Sequence, residues 1–139
     1  MKQQDVDYIK KICNEKHSKQ IWATRAQVMA KNIKSLKAAC DGNNDIPFDA
    51  LEEFLKSAVK KYGVSVGQIL TITDVTGGMT YHAGIVTSYK NPVTNKTTWL
   101  FTVHADTMYE LYIKLVLMTF VTIKEGKVER RKPFNPDRR

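Results

Sequence analysis

Apolar residues recur at helical spacing in three successive blocks before the pattern changes to alternation. In 5–15, "DVDYIKKICNE", Val6, Ile9, Ile12 and Cys13 fall on one side of a helix, so a short amphipathic helix with an acidic first turn is predicted. His17 and Ser18 interrupt it. Over 18–40, Ile21, Trp22, Val28, Met29, Ile33, Leu36 and Cys40 share one arc at about 100° per residue, which predicts a second, longer helix. Lys19, Lys31, Lys34 and Lys37, with Gln20 and Gln27, take the opposite arc, and Arg25 falls inside the apolar one. The turn cluster "DGNND" at 41–45 ends that helix. A third begins near Pro47 and stops at Gly63, with Phe48, Leu51, Leu55, Val59 and Tyr62 inward.

From 64 onward the period is two. "VGQILTITDV" at 66–75, "MTYHAGIVTSY" at 79–89 and "TTWLFTVH" at 97–104 are rich in β-branched and aromatic residues, with Gly77 and Gly78 between the first two. Three consecutive strands joined by hairpins are predicted. Tyr81, Ala83 and Ile85 share one face of the middle strand, and Trp99, Phe101 and Val103 one face of the last. Next comes "TMYE" at 107–110, the S/T-x-x-E signature in which a hydroxyl and a carboxylate satisfy backbone N–H groups at a helix start. The helix it opens is apolar on most of its circumference and runs to about 125, with Gly126 as its stop. A hairpin over 119–131 is the competing assignment.

The predicted architecture is therefore α+β with the order ααα-βββ-α: a three-stranded antiparallel sheet packed on a long apolar C-terminal helix, with three N-terminal helices. Residues 1–126 form one domain, and 127–139 form a basic, extended and mobile tail. A chain of 139 residues that is 42% apolar can bury a single core.

Composition adds a net charge of +8, from 22 Lys and Arg against 14 Asp and Glu, which favours an anionic partner. Cys13 and Cys40 are too few for a disulfide framework and form no CxxC, which indicates a reducing, cytoplasmic setting. "MKQQDVDYIKK" lacks the apolar core of a secretory signal, and 107–123 is too short and too charged for a membrane span.

Chemistry is thinly marked. His104 and Asp106 lie two apart at a strand end, and His82 on the neighbouring strand could join them as a metal or acid-base group. The simpler reading makes Asp106 and Thr107 helix-capping residues. No nucleophile motif, phosphate loop or paired carboxylates at a defensible spacing is present, so the sequence supports no enzyme, no cofactor and no metal. The lysine arc and the tail remain: Lys31, Lys34, Lys37, Lys127, Arg130, Arg131, Lys132 and Arg138 are candidate phosphate contacts. Arg25 and Trp99 are candidate anchors for a protein partner, being of the types that dominate interface energetics.

From Pro47 onward, the order helix, strand, strand, strand, helix resembles that of double-stranded-RNA-binding domains. The resemblance implies contact with duplex RNA through the start of the last helix and the first hairpin loop. The family places lysines where Thr107, Met108 and Tyr109 stand here, and a histidine soon after a Gly-Pro where "GGMTYHAG" sets His82 farther on.

The resulting functional expectation is a small, basic, non-enzymatic cytoplasmic protein associated with nucleic acid of undetermined type. The alternative is an interaction module or inhibitor that binds an acidic surface of a partner such as a nucleic-acid enzyme. Neither membrane attachment nor a particular oligomeric state is indicated.

Overall fold

The structure, a computed structural model, describes residues 3–16, 18, 20–32, 46–90 and 97–124, with side chains throughout except at 86–90 and 97–101. Among the described residues, four helices and a four-stranded antiparallel sheet make an α+β fold. The elements are α1 Gln3–Glu15, α2 Thr24–Lys31, α3 Phe48–Tyr62, β1 Val64–Val66, β2 Leu70–Thr73, β3 Met79–Lys90, β4 Thr97–Ala105 and α4 Met108–Lys124.

The central strand is β3. β4 pairs along one side of it, from Tyr81↔Ala105 to Ile85↔Phe101 and onward with irregular register. On its other side lie β2 (Leu70↔His82 to Thr73↔Met79) and β1 (Val64↔Thr87 to Val66↔Ile85), end to end. The expected first strand at 66–75 is thus two strands. Residues 67–69 oppose only Ala83 and Gly84, so one residue is extra; the Gly67 N–H still donates to the Gly84 carbonyl at 2.8 Å, bridging the break.

The β2–β3 hairpin is closed by Asp74. One carboxylate oxygen accepts from the Thr76 N–H, the Thr76 hydroxyl and the Gly78 N–H at 2.9, 2.7 and 2.8 Å. Gly77 sits at φ 86°, and a Cβ on residue 78 would lie 2.7 Å from the other Asp74 oxygen, so both glycines serve the turn.

One face of the sheet, bearing Ala83, Ile85 and Ala105 with half-buried Tyr81 and Val103, packs on the helices. α4 lies against β3 and β4, with α2 and α3 on its other flanks; α3 also meets β1, and α1 leans on α3. Because neighbours surround α4, twelve of its seventeen residues are buried, among them Leu111, Ile113, Leu117 and Phe120. It is not uniformly apolar, because Glu110, Lys114, Thr119 and Thr122 are buried too. Lys114 lies 3.5 Å from Glu110 and donates to the His104 carbonyl at 2.7 Å, while the Thr122 hydroxyl donates to the Met118 carbonyl. Residues 119–124 are helical, which removes them from the alternative hairpin; 125–139, including the expected tail, lie outside the described residues.

The N-terminal helices depart from expectation in phase. α1 buries the four residues assigned to it, Val6, Ile9, Ile12 and Cys13. The second helix starts at Thr24 rather than Ser18, because Ser18 holds a turn: its hydroxyl accepts from Gln20 N–H at 3.2 Å and its carbonyl from Ile21 N–H. The side of α2 that meets α4 carries Ala26 and Met29, flanked by half-buried Ala30. Trp22 and Val28, expected inside, are 81% and 62% exposed. Residues 33–40, the expected second half of that helix, lie outside the described residues. α3 is likewise turned: Phe54 and Ala58 join Leu51 and Leu55 in the core, whereas Val59 is 46% exposed. Its C-terminus is as expected, with Gly63 left-handed at φ 67° and its N–H on the Val59 carbonyl.

Candidate nucleic-acid interface

Two surfaces among the described residues collect side chains with recognisable chemistry, one on the helices and one on the sheet. The first lies between α1 and α2. Tyr8, Lys11, Gln20, Ile21, Trp22 and Arg25 line a shallow groove of about 260 Å³. Its geometry starts from the turn at 18–22, which swings Trp22 out of helical phase. The Tyr8 hydroxyl then donates to the Trp22 carbonyl at 2.7 Å and fixes the backbone there while the indole stays in solvent. Burial pushes the Tyr8 phenol above its ordinary pKa, against smaller opposing effects of the Ala26 backbone N–H and the Arg25 guanidinium.

Arg25 is not in the apolar arc. Its guanidinium lies 2.7 Å from Asp5 and 4.9 Å from the centre of the Tyr8 ring, so it joins α1 to α2 by an ion pair and a cation–π contact. Arg25, Val28 and Lys31 follow at three-residue intervals along the exposed side of α2, prolonging the groove into a ridge. Of the other expected phosphate contacts, Lys34, Lys37, Lys127, Arg130, Arg131, Lys132 and Arg138 lie outside the described residues. Trp99 stands on β4 opposite Val86, with its side chain outside the described set. Sequence periodicity missed Trp22 as a surface group. The available signal was the alanine spacing at 23, 26 and 30, which marks the inward side of α2 better than its larger residues do.

The second surface is the sheet face turned away from the helices. Leu70 and Ile72 are 55% and 53% exposed on it. His82 and His104 are directly opposed across β3 and β4, their rings stacked with centroids 5.6 Å apart and planes at 24°. Gln68, Leu70, Gly84 and Thr102 join them around a shallow groove of about 380 Å³, with Gly84 supplying no side chain to fill it.

The two histidines therefore meet. No group of three or more His, Cys, Asp or Glu able to hold a metal occurs among the described residues. Asp74 is committed to its turn, and its carboxyl is held below the usual range by the Thr76 hydroxyl and by the Gly78 and Thr76 N–H groups. At the helix start, Thr107 Oγ1 accepts from Glu110 N–H at 3.2 Å. Glu110 in turn accepts from the Asp106 N–H at 3.4 Å, one residue earlier than the usual reciprocal bond. The first turn of α4 bears no lysine, and its first lysine, Lys114, is buried, so the phosphate grip implied by the double-stranded-RNA-binding resemblance is not built there. Cys13 is buried and its thiol is pushed up to about 12 by burial, which leaves it protonated and unreactive.

No protein-family model matches the sequence, and neither curated proteins nor solved structures provide a match. No helix among the described residues is long and apolar enough to cross a membrane.

Proposed function

We propose that this chain is a small basic protein that associates with single-stranded nucleic acid in the cytoplasm, using the α1–α2 ridge. The observation that carries the reading is Trp22, 81% exposed at the mouth of a groove that also holds Lys11 and Arg25 and continues to Lys31. Base stacking on an exposed aromatic contributes about 1–3 kcal/mol and tolerates any sequence, while neighbouring cations follow the phosphates. Arg25 acts here mainly by keeping α1 and α2 together, since Asp5 offsets its charge. Lys34, Lys37 and the basic residues of 127–139 supply further phosphate contacts, consistent with the net charge of +8.

A second reading uses the same ridge for an acidic protein surface. Val28 favours it, because an apolar side chain 62% exposed beside Trp22 adds more to a protein interface than to a phosphate backbone.

Fluorescence anisotropy of labelled single-stranded DNA, single-stranded RNA and duplex DNA, at low and near-physiological salt, separates the two. The expected result is single-strand binding that weakens as salt rises, quenches tryptophan emission, and falls by roughly tenfold or more in Trp22→Ala, as loss of one stacked base implies. Absence of binding to all three probes at low salt overturns the nucleic-acid reading and leaves the protein-surface one.

A further inference from the structure

The sheet's outer face carries an arrangement that the α1–α2 ridge does not use. Backbone direction along β3 follows from one bond: Gly84 presents its carbonyl to Gly67, toward the β1–β2 side. Alternation then turns His82 the same way, so His82 and His104 form a non-hydrogen-bonded pair of the β3–β4 ladder. The Lys114 ammonium on the His104 carbonyl agrees, because it reaches that oxygen on the side away from β3. Pairs of this type bring Cα atoms to about 4.5 Å, the closest approach that two facing residues of a sheet make. Two imidazoles are thus fixed side by side on a surface that ions and water can reach.

We propose that His82 and His104 form a two-imidazole site for a divalent transition-metal ion of the copper–zinc group. An ion bonded to both imidazole nitrogens at about 2.0–2.1 Å requires those nitrogens to lie about 3 Å apart. The stacked rings, 5.6 Å between centroids, approach that separation by rotation about their broad terminal torsions. The remaining lining favours the same ions. Gln68 and Thr102 are neutral, and no carboxylate lines the groove among the described residues, so hard calcium and magnesium find no charged oxygen there while an imidazole pair suits copper and zinc. The open groove admits the water molecules that complete the coordination shell. Lys114, pinned by Glu110 and bonded to the His104 carbonyl, steadies the strand under one ligand. With two protein ligands the ion exchanges readily and keeps open positions, unlike the four-ligand sites that hold a fold together.

The test uses the full-length chain, stripped of metal and titrated with copper(II), then with zinc(II) in competition. The chain has three histidines, so His17→Gln is the internal control. Expected are one exchangeable copper equivalent, an electron-paramagnetic-resonance signal with two imidazole nitrogens, displacement by zinc but not by magnesium or calcium, and affinity reduced at least about tenfold in each of His82→Gln and His104→Gln. Circular dichroism of both variants establishes that the fold persists. Copper affinity unchanged in either variant, or lost only with His17→Gln, overturns the site, as does a signal from a single imidazole. The ridge is built on α1 and α2 and shares no residue with the histidine pair on β3 and β4, so single-strand binding by Trp22 stands or falls separately from this result.

Discussion

Lys114 and Glu110 are the charges this fold can least afford to separate. Both are buried in α4, 3.5 Å apart, and each has a second duty: Lys114 on the His104 carbonyl, Glu110 on the Asp106 N–H. Removing one member of such a pair leaves an uncompensated buried charge and costs about 3–5 kcal/mol, whereas removing both charges costs much less. Lys114→Met is expected to destabilise by that amount in urea unfolding, and Lys114→Met with Glu110→Gln to recover most of it. Additive losses in the two variants would show that the charges act separately. Asp74 makes a different, exposed contribution. Its folded-state carboxyl titrates below its ordinary value because the ionised form accepts three bonds, so the stabilisation is present above the unfolded pKa and disappears as pH falls through the lower folded one. Asp74→Ala is expected to lower Tm at neutral pH, with the gap to the parent protein closing in acid. A gap constant down to acid pH would contradict that account.

The helices and strands were legible in the sequence where one physical signal dominated. α1, the Gly63 stop and the Thr107–Glu110 capping pair follow from spacing and end chemistry alone. α2 did not, because apart from Met29 its inward side is alanine, which gives little hydrophobic contrast; weighting by residue size turned the helix and sent Trp22 inward. The first edge strand read as continuous because its break at 67–69 is a pairing irregularity with β3, a non-local event that no local pattern encodes. Phe54 was overlooked for a similar reason. The inward arc of α3 was drawn through Val59, but packing against α4 decides the phase, and Phe54 meets Phe120 with ring centroids 6.4 Å apart at 58°. Phe54→Ala is therefore expected to cost about 3–5 kcal/mol, the scale for emptying a fully buried aromatic site, and Val59→Ala, at a position 46% exposed, well under half of that. Comparable losses at the two positions in denaturant melts would restore the arc read from the sequence.

At the scale of the whole molecule, the C-terminal segment carries more net charge than the ridge, whose cations are Lys11, Arg25 and Lys31. Residues 127–139 hold six Lys and Arg against Glu129 and Asp137, which is half of the net +8. Each phosphate neutralised on a single strand contributes about −0.7 to the slope of log affinity against log salt. A chain ending at Gly126 is therefore expected to keep the quenching of Trp22, since stacking is local to the α1–α2 groove, yet to show a distinctly shallower slope. Trp22→Ala should do the reverse, lowering affinity at every salt concentration while leaving the slope nearly unchanged, because an indole releases no counterions. The two effects should be close to additive if the ridge and the tail engage the strand independently. Equal slopes with and without 127–139 would confine the phosphate contacts to the ridge and the second helix, and would make the tail's charge a property of the surface rather than of the binding site.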